Sequence, residues 1–69
     1  MDHVYNSIEV HFEAYLDEFM DYHRTGKYKK LSDNPCYAEI KAIIDSMNVL
    51  RKYLGWDSIK LSEVVKAQL

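Results

Sequence analysis

The side chains able to do chemistry are crowded into the first third of the chain. His3, His11 and His23 share residues 1–23 with six acids, Asp2, Glu9, Glu13, Asp17, Glu18 and Asp21. Metal binding is the first chemistry that such a mixture suggests. A helical metal site needs ligands three or four residues apart, as in Glu-x-x-His, so that they share a face. His11 has Ser7, Ile8, Ala14 and Tyr15 at those distances, and His23 has Phe19, Met20, Gly26 and Lys27. None of these is a carboxylate. His3 and His11 would stand about 12 Å apart along a helix axis. No metal and no cofactor is expected.

Catalysis fares no better. The acids fall on the solvated side of the residue pattern, without the burial that tunes a carboxylate for proton transfer. Cys36 is the only cysteine and lies near an expected helix N-terminus, a position that activates a thiol. Yet it belongs to an apolar seam and has no His near it in sequence, which makes it a core residue. Gly26 and Gly55 are the only glycines, so no phosphate-cradling loop exists. The chain is expected not to be an enzyme.

Charge is the stronger signal. Residues 1–23 carry six acids and no Lys or Arg, whereas residues 24–69 carry nine bases against five acids, for a net charge of −2. Glu9, Glu13, Asp17 and Asp21 recur every fourth residue and so form one acidic face. That face suits a protein partner of opposite charge and, as a minor variant, imitation of a phosphate backbone. Arg24, Lys27, Lys29 and Lys30, with Tyr28 among them, make a basic stretch that is the candidate nucleic-acid contact. A helix-turn-helix-like regulator using residues 24–30 and the last helix is therefore the alternative. The acidic leading segment and the negative total weigh against it.

The elements that must position these groups follow from hydrophobic spacing. Tyr5, Ile8, Phe12, Tyr15, Phe19 and Tyr22 step by three and four, one stripe of a helix over about 2–24, with Val4, Leu16 and Met20 widening it. Asp2 or Asn6 can cap its start, and Gly26 fits just past its end. At helical spacing these tyrosines are seam residues rather than base-stacking platforms. A basic loop over 25–33 follows, into which Tyr28 and Leu31 can fold back. Asn34 and Pro35 read as the N-cap and first position of a second helix over about 34–54, closed by Gly55. Its seam is Cys36, Ile40, Ile43, Met47, Leu50 and Leu54. Trp56 is placed as a plug over the end of the core. A third helix over about 58–68 carries Ile59, Leu61, Val64, Val65 and Leu69, with a later start near Ser62 as the other option.

Two seams of matching length joined by one loop give an all-α fold, an antiparallel helical hairpin with a short third helix. Sixty-nine residues make one domain, and 48% of them are hydrophobic. So much apolar surface on so short a chain predicts shared burial, most simply a homodimer completed as a helical bundle. A single cysteine, no basic-then-apolar leader and no long apolar run point to a cytoplasmic chain with no membrane contact. The function expected is protein binding, as an adaptor, regulator or inhibitor. Its seam would be Tyr5, Ile8, Phe12, Tyr15, Phe19 and Tyr22, with Glu9, Glu13, Asp17 and Asp21 giving charge selectivity.

Overall fold

Described over residues 2–68, the computed structural model is helical, with no strand among those residues. Helix α1 spans Asp2–Arg24, a short 3-10 turn spans Leu31–Asp33, α2 spans Tyr37–Tyr53 and α3 spans Leu61–Gln68. Helices α1 and α2 form the hairpin. Their antiparallel sense is fixed at both ends: Tyr5 meets Arg51, and Phe19 meets Asn34.

The apolar stripes explain the packing. Tyr5, Phe12, Leu16, Phe19 and Met20 of α1 face Ile40, Ile44 and Met47 of α2, with Cys36 beside them and Leu61 and Val65 of α3 closing the cluster. Phe19 and Ile40 are fully buried at its centre. Replacing a ring such as Phe19 with Ala would cost about 3–5 kcal/mol, in lost transfer energy and an unfilled cavity. Residues five, twelve and nineteen are one heptad apart, yet 3.6 residues make a turn, so the buried stripe drifts round the helix. Leu16 and Met20 therefore reach the core, while Tyr15 and Tyr22 are left on its flank.

The second helix starts at Tyr37 rather than at 34 or 35. Asn34 is held extended, φ −67° and ψ 134°, as a following proline requires. Its carbonyl accepts the Tyr37 N–H at 2.9 Å and its Oδ1 accepts the Cys36 N–H at 2.9 Å. Asn34 and Pro35 thus build a turn that delivers the chain into α2, and the first helical bond runs from Ile40 N–H to the Cys36 carbonyl.

Helix α2 ends in a Schellman motif. The Trp56 N–H reaches the Arg51 carbonyl at 2.7 Å and the Gly55 N–H reaches that of Lys52 at 3.2 Å, with Gly55 at φ +78°. The third helix begins at Leu61, not at 58. Asn48 is the reason, because its side chain pairs with both backbone groups of Ile59, accepting the N–H at 2.8 Å and donating to the carbonyl at 2.9 Å. That two-point clamp holds the segment extended as a β-bridge would. Helical bonds resume only at the Lys60 carbonyl, which takes the Glu63 and Val64 amides. Leu69 lies outside the described residues. No described helix is long and apolar enough to cross a membrane.

Candidate interaction surfaces

Three surfaces emerge, each set by how α1 is gripped. At one end Asn34, buried, donates from Nδ2 to the Phe19 carbonyl at 3.0 Å while its Oδ1 holds the turn. At the other end Arg51 of α2 donates from Nη1 to the Tyr5 hydroxyl at 2.9 Å and from Nε to the Asp57 carbonyl. Its guanidinium carbon lies 5.6 Å from the centre of the Trp56 ring, and that ring meets Tyr5 edge-on at 5.3 Å. Trp56 is thus a half-exposed lid on the Tyr5 end of the core. By its place in the last turn of α2, Arg51 has a sequence-level role only toward the helix dipole. Asn48 is likewise not identified by the sequence, where the available hint is a poor helix former inside a strongly periodic helix.

The acidic surface is the outer side of α1. Glu13, Asp17 and Asp21 are exposed and Glu9 is half-buried. Among the described residues the only ion pairs are Arg24 with Asp21 at 3.7 Å and Lys41 with Asp45 at 2.7 Å. Glu9, Glu13 and Asp17 therefore have no basic side chain within ion-pair distance among the described residues. The Lys41–Asp45 hydrogen bond lifts the Lys41 pKa above its ordinary value, against a smaller opposing effect of burial. The basic stretch meets the acidic face through the Arg24–Asp21 contact, whereas Lys27, Lys29 and Lys30, all exposed, pair with no acid among the described residues. Tyr28 folds back edge-on to Tyr22, ring centres 6.1 Å apart, and Leu31 packs on the core.

The third surface is a groove between the two long helices, lined by Ile8, His11 and Tyr15 of α1 and Ala42, Ile43 and Ser46 of α2. Of the six seam residues, Tyr5, Phe12 and Phe19 are thus buried within the chain, and Ile8 and Tyr15 line this groove. Tyr22 continues the same flank of α1 and, like Tyr15, is 37% exposed.

Cys36 is buried, and its thiol pKa is pushed up, first by that burial and then by the charges of Glu18 and Glu39. Such a thiol is held neutral, the opposite of an activated nucleophile. No three His, Cys, Asp or Glu side chains among the described residues gather as a metal-ligand set. Compared with known proteins, the chain matches no family model, no curated protein and no solved structure.

Proposed function

We propose that the chain is a small non-enzymatic protein-interaction module, an adaptor, regulator or inhibitor, that presents the acidic face of α1 to a partner protein bearing a basic surface. The observation that supports this most is the lack of internal neutralisation. Glu9, Glu13 and Asp17 have no base within ion-pair distance among the described residues, although the same chain carries nine bases. Helix α1 is also pinned near both ends, by Arg51 to Tyr5 and by Asn34 to Phe19. The carboxylates are therefore presented on a rigid rod and lose little freedom on binding. Such a face would steer association and select partners by charge.

The test is affinity capture with the intact chain, followed by Glu13→Lys with Asp17→Lys. The expected result is a stoichiometric protein partner whose capture weakens by tenfold or more, on the order of 1.4 kcal/mol, while the circular dichroism stays helical. Capture that ignores the charge reversal sinks the acidic-face reading. A salt-sensitive gel shift abolished by Lys27→Ala, Lys29→Ala and Lys30→Ala would instead assign the chain to nucleic acid through its basic loop.

A further inference from the structure

We propose that residues 57–68 form a strap that opens from the hairpin as one unit, pivoting after Trp56, while α1 and α2 stay paired. The root of the strap is fixed. The Schellman bonds hold Gly55 and Trp56 to the end of α2, and the Trp56 ring rests against Tyr5 and Arg51. Beyond Trp56 the extended segment is tied to α2 at two points, the Asp57 carbonyl on Arg51 and the two-point clamp of Ile59 on Asn48.

Around those points the segment borders open clefts. One, of about 660 Å³, lies among Asp45, Val49 and Lys52 of α2 and Trp56, Asp57 and Ser58. Another, of about 540 Å³, lies among Tyr37, Lys41 and Asp45 and the root of α3 at Ser58, Lys60 and Ser62. The strap is thus pinned by discrete bonds with solvent-filled space beside them, where a packed interface would have side chains.

Helix α3 is the least self-sufficient of the helices. Its eight residues are too few to stay helical alone in water, and the adjacent β-branched Val64 and Val65 lower its propensity further. Its hold on the hairpin is one apolar stripe, Leu61 and Val65 buried with Val64 packed beside them. Among the described residues no side-chain hydrogen bond or ion pair joins α3 to α1 or α2. The hairpin is tied at both ends instead, by Asn34 to Phe19 and by Arg51 to Tyr5, around the fully buried Phe19, Met20 and Ile40. Undocking and unwinding of α3 are therefore one event, separate from loss of the hairpin.

Opening changes what the molecule displays. Ile44 lies in the cleft beside Ile59 and Leu61 and, like Met47 of the same cluster, is 3% exposed in the closed form. Release of Leu61 and Val65 uncovers this part of α2. The acidic residues of α1 keep their places in both forms, so the strap does not depend on what that face binds.

Native-state hydrogen exchange of the full chain, at urea concentrations below the unfolding transition, tests the proposal. The Ile59, Val64 and Val65 amides should share one opening, at least about tenfold more frequent than that of Phe19 and Ile44, with a smaller urea dependence because less surface is exposed. Asn48→Ala should speed those three amides together, by about tenfold, and leave Phe19 and Ile44 unchanged. Val65→Asp should hold the strap open, read as increased binding of the apolar dye ANS, with Phe19 and Ile44 still protected. A Val65 amide that exchanges at the rate and urea dependence of Phe19 overturns the proposal, as does an Asn48→Ala effect confined to Ile59. Loss of protection at Phe19 and Ile44 in Val65→Asp overturns it as well, because strap and hairpin would then unfold as one.

Discussion

A single buried asparagine links the two long helices. Asn34 is the one polar side chain in the core among the described residues, and both ends of its amide are engaged, to the Cys36 N–H and to the Phe19 carbonyl. Asn34→Ala should therefore cost about 1–3 kcal/mol, the range for leaving buried partners unsatisfied, measured by urea unfolding. Asn34→Asp keeps an acceptor for Cys36 but removes the donor to Phe19, so the difference between the two variants isolates the bond between elements. Cys36 supplies a pH-dependent test. Its folded pKa is raised by burial and by Glu18 and Glu39, so the neutral thiol contributes stability that is complete below the ordinary value and is lost as pH rises through the raised one. The stability advantage of the wild type over Cys36→Ala should hold at neutral pH and shrink above about pH 9. A difference that stays flat to high pH would show that the thiolate is tolerated.

At the level of elements, the turns carry as much information as the helices. Gly55 sits at φ +78° and a Cβ there would meet nothing within 4 Å. Gly55→Ala should thus lose about 1 kcal/mol from backbone strain alone, seen as a lower thermal midpoint with unchanged helicity. Asn48→Ala should act locally instead. It opens the clamp on Ile59, so hydrogen exchange at the Ile59 amide should speed up while α1 and α2 keep their protection.

The hairpin, the extent of α1 and the stop at Gly55 were legible because each rests on local spacing or a single turn residue. The start of α3 was legible only as one of two options: the later start near Ser62 lies one residue from the observed Leu61, and the longer helix from 58 does not form. Ser58 is an adequate cap by type, but the Ile59 amide and carbonyl are taken by a side chain eleven residues back, a long-range competition that no local pattern encodes. The flank that Tyr15 and Tyr22 share was hidden for a related reason. Periodicity identifies a stripe but not which edge of it meets the neighbouring helix, and the Arg51 bond to Tyr5 spans 46 residues.

Across the whole molecule, charge works against the fold more than for it. Glu9, Glu13, Asp17 and Asp21 repel one another at one-turn spacing, each such pair worth a few tenths of a kcal/mol. Asp21 and Glu18 also lie near the negative end of the α1 dipole. Only two exposed ion pairs offset this among the described residues, and exposed pairs contribute about 0–1 kcal/mol each. Salt should therefore stabilise the chain. Raising ionic strength from about 0.01 M to 0.15 M shortens the screening length from roughly 30 Å to 8 Å, which weakens repulsion along α1 and leaves the apolar core intact. The thermal midpoint should rise by a few degrees, in line with a gain on the order of 1 kcal/mol for a domain of this size. Glu13→Lys should reproduce much of that rise at low salt and blunt the further effect of adding it, because it turns two repulsive spacings into attractive ones. A midpoint that falls with salt would mean that attraction between the acidic helix and the basic remainder of the chain outweighs the repulsion within α1. Long-range pairing of the two halves, rather than packing, would then be the larger electrostatic influence on the fold.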